Sequence, residues 1–186
     1  AFGNVGALAV DDVGRIFIGA YWFSTGSGMR SFARLLPDGA IDPAFTFSVP
    51  VAMWGSGQFS SIMPQGDKVV VGGYFSGSWD PLVSRGLFRL NSDGSLDTSF
   101  SGYTGQPQGW GLGITALGDG RMAVRSYLNG LSGTNIHILS ADGVVDPTFV
   151  FGLVGMQTLG ADSMISDGAG GLISGGALAQ SGSVVT

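Results

Sequence analysis

Six aspartates recur as pairs four residues apart: Asp38 and Asp42, Asp93 and Asp97, Asp142 and Asp146. Paired carboxylates offer hard oxygen ligands to calcium. Two carboxylates facing each other across a scissile bond are also the machinery of glycoside hydrolysis. A catalytic site is normally unique, whereas these pairs return in every copy of a longer pattern, and EF-hand loop spacing is absent. A structural role is therefore expected: the first Asp supports a hairpin turn and the second holds the chain where the next strand begins. A glycosidase, the weaker alternative, would have to draw its carboxylates from Asp11, Asp12, Asp80, Asp119 and Asp162, which stand outside the pattern.

His137 is the only histidine and lies in the apolar run Ile136-His137-Ile138-Leu139. It aligns with Ala33 and Phe88 of the other copies, so a packing position is expected. A general base needs an oriented partner, and the sequence identifies none. With no cysteine and one histidine, thiolate metal sites, histidine metal sites and nucleophilic triads all lack support. No catalytic residue, cofactor or metal ligand is assigned, and the chain is read as not an enzyme. Trp54, Trp79 and Trp110 sit in Gly-rich or loop segments, where an indole face can stack on a sugar. They are the candidate ligand-binding residues. Tyr21, Tyr74 and Tyr127 recur at one repeat position and are expected to pack. Gly109-Trp110-Gly111-Leu112-Gly113 precedes no helix, so it is not a nucleotide fingerprint.

The elements that position these residues follow from internal repetition. Asp38-Gly39-Ala40-Ile41-Asp42-Pro43-Ala44-Phe45 returns as Asp93-Gly94-Ser95-Leu96-Asp97-Thr98-Ser99-Phe100 and as Asp142-Gly143-Val144-Val145-Asp146-Pro147-Thr148-Phe149, at steps of 55 and 49 residues. A second motif, Arg15-Ile16-Phe17-Ile18-Gly19, returns at Lys68–Gly72, Arg121–Arg125 and Gly171–Gly175, each copy after a Gly/Asp turn signal. Each repeat reads as four strands. In the first they are Gly6–Val10, Arg15–Tyr21, Phe32–Leu35 and Ala40–Phe47, the last pair joined by an Asp-Gly hairpin. No apolar stripe of helical period occurs. Four short antiparallel strands every fifty residues describe propeller blades, which bury their faces against neighbouring blades. The expected fold is all-β and propeller-like: one repeat domain over 1–186, with approximate repeats 1–50, 51–104, 105–153 and an incomplete 154–186. Leu35, Leu90 and Leu139 should be buried at equivalent positions.

The phrases Arg89-Leu90-Asn91-Ser92-Asp93-Gly94-Ser95-Leu96-Asp97-Thr98-Ser99-Phe100 and Asp67-Lys68-Val69-Val70-Val71-Gly72-Gly73-Tyr74-Phe75 resemble the delta-60 repeat, a β-propeller repeat. The resemblance covers nearly the whole chain and weakens in the fourth copy. It implies a propeller-like fold in surface, secreted or bacteriophage virion proteins, and supplies no catalytic motif.

Composition narrows the partners. Eight basic and thirteen acidic residues give a net charge of −5, and Lys68 is the only lysine. No basic stripe is present to neutralise phosphates, which argues against nucleic acid and against anionic membranes. No run of eighteen apolar residues occurs, the length that a membrane-spanning helix would need. The fourth Asp-Gly turn should fall near position 192, so the last blade is expected to be completed by another subunit or by the rest of a longer chain. The functional expectation is an extracellular or virion assembly module, of the bacteriophage-tail kind. A module recognising a surface glycan or a protein through its loop face is the alternative.

Overall fold

The computed structural model describes residues 4–25, 28–49, 58–75, 86–102, 113–127, 134–149, 156–168 and 171–180. These form eleven strands and no helix: β1 (Val5–Val10), β2 (Ile16–Thr25), β3 (Gly28–Leu35), β4 (Gln58–Gln65), β5 (Lys68–Tyr74), β6 (Leu87–Leu90), β7 (Gly113–Ala116), β8 (Met122–Tyr127), β9 (Thr134–Leu139), β10 (Met156–Ser166) and β11 (Leu172–Gln180). They group into four antiparallel sheets in chain order, β1-β2-β3, β4-β5-β6, β7-β8-β9 and β10-β11. This is the tandem, propeller-like all-β architecture that the repeat implies. The second motif forms the central strand of each three-stranded blade.

The hairpins follow from glycine placement. Between β1 and β2 the Gly14 amide donates to the Asp11 carbonyl (3.0 Å), with Gly14 at φ +82. Leu117 to Gly120 repeats this turn between β7 and β8. The second blade uses a tighter two-residue turn, Gln65 pairing with Lys68 and Gly66 at φ +62. A positive φ is sterically cheap only for glycine.

The expected fourth strand, Ala40 to Phe47, is reduced to one bridge. Leu35 pairs with Ile41, Leu90 with Leu96 and Leu139 with Val145, each antiparallel and isolated. The chain leaves the sheet there because the second Asp of each motif turns it away. The Asp42 carbonyl accepts from the Phe45 amide (3.3 Å), and Asp97 does the same with Phe100 (3.3 Å).

The cores lie between the sheets. Alternate residues of a strand point to opposite faces, and β5 shows the result: Val69 and Val71 join the cluster shared with the first blade, while Val70 joins the one shared with the third. Phe17, Phe32 and Phe45 of the first blade meet Phe59 and Phe88 of the second. Phe32 and Phe59 have ring centroids 5.4 Å apart, and Phe75 and Phe88 are 5.2 Å apart. Leu35, Leu90 and Leu139 are all buried, as expected. A smaller cluster of Leu117, Ala123, Ile136 and Ile138 receives Met164 and Leu172 of the fourth sheet.

Candidate functional site

The two repeated motifs meet around a buried arginine. Arg34 lies near the end of β3 and Arg89 in β6; each lies eight residues before the second Asp of its own repeat. Arg34 Nε donates to Asp42 Oδ2 at 2.7 Å, and Arg89 Nε donates to Asp97 Oδ2 at 2.7 Å. Both arginines are buried. Each guanidinium also lies over the motif phenylalanine, 4.8 Å from the Phe45 centroid and 4.9 Å from that of Phe100. A desolvated cation over a ring face is stabilised by the ring quadrupole.

The same arginines cross to the next blade. Arg34 Nη1 donates to the Ser92 carbonyl (2.8 Å). Arg89 Nη1 donates to the Ala141 carbonyl (2.9 Å), and Arg89 Nη2 to Asp142 Oδ1 (3.1 Å). Ser92 and Ala141 each precede the Asp-Gly of the following repeat. That turn is held by backbone as well: the Thr46 amide donates to the Asp93 carbonyl (2.8 Å), and the Ser101 amide to that of Asp142 (2.9 Å). Each complete set forms a latch in which one arginine joins its own Asp, its own Phe and the next blade's turn.

The glycine of the turn therefore has two duties. Gly94 sits at φ +89, and a Cβ there would lie 2.5 Å from the Thr46 carbonyl oxygen. At Gly143, φ +79, a Cβ would lie 2.7 Å from the Phe100 ring. Gly39, φ +84, has nothing within 4 Å of such a position.

The electrostatics explain how the carboxylates tolerate burial. Burial pushes the Asp97 pKa up, but hydrogen bonds from Lys68 (2.7 Å), Ser99 and Arg89 outweigh it and hold the carboxyl well below the usual carboxylate range. Asp42 follows the same pattern: burial raises it, while the Ala44 amide and Arg34 bring the net value down. Lys68 opens the second motif, so the two motifs touch through this ion pair. The third repeat departs. Ile138 occupies the arginine position, and Asp146 takes hydrogen bonds from Thr148 with Arg121 3.8 Å away.

The first Asp of the pair does the expected turn work in the first two copies. Asp38 Oδ1 accepts from the Ala40 amide (2.9 Å) and Asp93 Oδ1 from the Ser95 amide (2.9 Å). In the third copy Asp142 Oδ1 is the acceptor for Arg89 instead. No group of three or more potential metal ligands occurs among the described residues. Among the non-motif carboxylates, Asp11 is bound to Arg15 (2.6 Å) and Asp119 to Arg121 (2.7 Å). Asp80 and the side chain of Asp162 lie outside the described residues. His137 is partly buried within β9 opposite Val124, and burial lowers its pKa. Tyr74 closes β5, whereas the side chains of Tyr21 and Tyr127 lie outside the described residues. Trp54, Trp79 and Trp110 also fall outside them.

A family model described as a beta-propeller domain of unknown function (DUF5122) matches residues 14–45 and 65–100. No curated protein matches the chain significantly. Each matched window opens at the hairpin before the central strand and closes on Phe45 or Phe100, the rings beneath the two arginines. The matched windows thus hold both arginines with their own Asp and Phe and the turn that Arg34 reaches, whereas Ala141 and Asp142 lie beyond them. Sequence reading had isolated the Asp pairs and the phenylalanines but not Arg34 and Arg89. The available signal was their common offset of eight residues from the second Asp.

Proposed function

We propose that this chain is a non-enzymatic assembly module of the delta-60 type, a propeller segment of an extracellular or virion structure such as a bacteriophage tail. The observation that supports this reading is the use made of buried charge. Arg34 with Asp42 and Arg89 with Asp97 are spent on joining one blade to the next. Their carboxylates are held ionised by arginine and amide donors, which suits a permanent scaffold and leaves no proton to deliver near neutral pH. The partners in this reading are other protein subunits, or further sequence of a longer chain, that complete the last blade.

The reading is tested by location and by turnover. Antibody labelling in electron microscopy should place the protein on the cell exterior or on a virion. Labelling confined to the cytosol would overturn it, as would release of reducing ends from a panel of polysaccharides.

The loop tryptophans favour a second reading, recognition of a surface glycan through Trp54, Trp79 and Trp110. Glycan-array binding that Trp79→Ala abolishes would establish it, and no binding by the unaltered chain would remove it.

A further inference from the structure

The joint between the third blade and the fourth sheet is built differently from the two before it. Arg34 and Arg89 carry the first two joints across to the next blade. At the third, Ile138 stands in the arginine position and is buried in an apolar cluster with Leu117, Ala123 and Ile136. Met164 of β10 and Leu172 of β11 pack on that cluster from the fourth sheet. A joint held by apolar packing weakens when one of the packed side chains turns polar.

Met164 ties this joint twice. Its side chain packs on the cluster, and its backbone carbonyl accepts from Thr115 Oγ1 of β7 at 3.2 Å. Three methionine side chains lie among the described residues, and they differ in access. Met63 and Met122 are buried in the cluster between the second and third blades, whereas Met164 is only partly buried. A dissolved oxidant therefore reaches Met164 first. The chain has no cysteine, so methionine sulfur is the only sulfur that a peroxide can oxidise. A thioether packs as an apolar group, while its sulfoxide is polar and disrupts apolar contacts.

We propose that Met164 is a redox-sensitive modification site: a peroxide oxidises it ahead of Met63 and Met122, and the sulfoxide loosens the fourth sheet from the third blade. In the step, the Met164 sulfur attacks one oxygen of hydrogen peroxide. The S–O bond forms as the O–O bond breaks, so sulfur is oxidised and the peroxide reduced. The proton on the transferred oxygen passes to the departing hydroxide, which leaves as water. Methionine sulfoxide reductases return the sulfoxide to the thioether, which makes the change reversible. The first two joints keep their arginine latches, so the response is confined to the fourth sheet. Both the site and its effect are independent of the assembly reading above.

The test treats the whole chain with graded hydrogen peroxide and follows it by peptide-mapping mass spectrometry and hydrogen exchange. The Met164 peptide should gain one oxygen before the Met63 and Met122 peptides do. Exchange in β10 and β11 should then rise roughly tenfold, the scale of losing part of one buried apolar side chain's packing, while Val69 to Val71 in β5 stay as slow as before. Met164→Leu keeps the packing and cannot be oxidised, so peroxide should leave exchange in its fourth sheet unchanged; this also controls for Met29, Met53 and Met156. Met164→Gln, polar without any oxidant, should reproduce the faster exchange. Oxidation of Met164 no earlier than that of Met63 and Met122 would overturn the proposal. So would an oxidised chain with unchanged exchange in β10 and β11, a response that persists in Met164→Leu, or a loss of protection that extends to β5.

Discussion

Arg89 and Asp142 belong to different repeats, and Arg89 Nη2 donates to Asp142 Oδ1 at 3.1 Å while its Nε holds Asp97 at 2.7 Å. One guanidinium thus satisfies a carboxylate buried in its own blade and an exposed one on the next. The fork geometry makes this possible, because the guanidinium presents five donors in a fixed plane. A lysine could supply charge at one point but could not span both partners.

Removing that side chain should be costly. Arg89→Met leaves Asp97 buried with Lys68 as its remaining cation and leaves the Ala141 carbonyl with Gln65 Nε2 (3.0 Å) as its donor. Losing one partner of a buried ion pair costs about 3–5 kcal/mol. Urea unfolding should show a loss of that order for Arg89→Met, and a far smaller one when the exposed pair of Arg121 with Asp119 is broken. A double-mutant cycle of Arg89→Met with Asp97→Asn should show strong coupling, because the second change removes the carboxylate that the first leaves under-paired.

Stability should also fall in acid, with a definite sign. The Asp42 and Asp97 carboxyls are lowered in the folded chain from an ordinary value of 3.8. Groups with depressed folded-state values contribute stability that is fully present above the unfolded value and is lost as pH falls toward the folded one. The thermal midpoint should therefore change little through these groups from pH 7 to pH 5 and drop below about pH 4. Asp97→Asn should flatten the drop; an unchanged acid limb in that variant would show that other groups carry it.

The turn glycines separate two causes of cost. Alanine at a left-handed position is strained by about 1–2 kcal/mol wherever it occurs. Gly39→Ala should lose that amount, since nothing lies within 4 Å of the new Cβ. Gly94→Ala should lose clearly more, because its Cβ would lie 2.5 Å from the Thr46 carbonyl oxygen and force the blades apart. Equal losses in chemical denaturation would mean that the interblade approach at Gly94 adds nothing.

The sequence was informative where structure is local. Asp-Gly at 38–39, 93–94 and 142–143 marked hairpins because the φ requirement acts within four residues. Leu35, Leu90 and Leu139 could be placed in the core from repeat alignment alone. The fourth strand was misjudged because apolar spacing from Ala40 to Phe47 suits a strand, while the Asp42 turn that ends pairing is a competing local hydrogen bond. Arg34 and Arg89 escaped notice for another reason. Their cross-blade partners, Ser92 and Ala141, lie 58 and 52 residues away. A strand arginine reads as solvent-facing unless the neighbour that covers it is known.

Edge exposure provides the last expectation. Among the described residues β11 has a single hydrogen-bonded neighbour, β10, whereas β5 is flanked by β4 and β6. The Lys68–Tyr74 strand is also buried on both faces along most of its length, and amides there can exchange only through large-scale opening. Among the described residues no strand pairs with the other side of Leu172–Gln180, and such an edge pairs with water or with a further strand. Hydrogen exchange on the isolated chain at low concentration should show Val69, Val70 and Val71 among the slowest amides and Leu172 to Ser174 among the fast ones. Protection in β11 equal to that in β5 at low concentration would mean that the fourth sheet already has its full complement of strands within this chain.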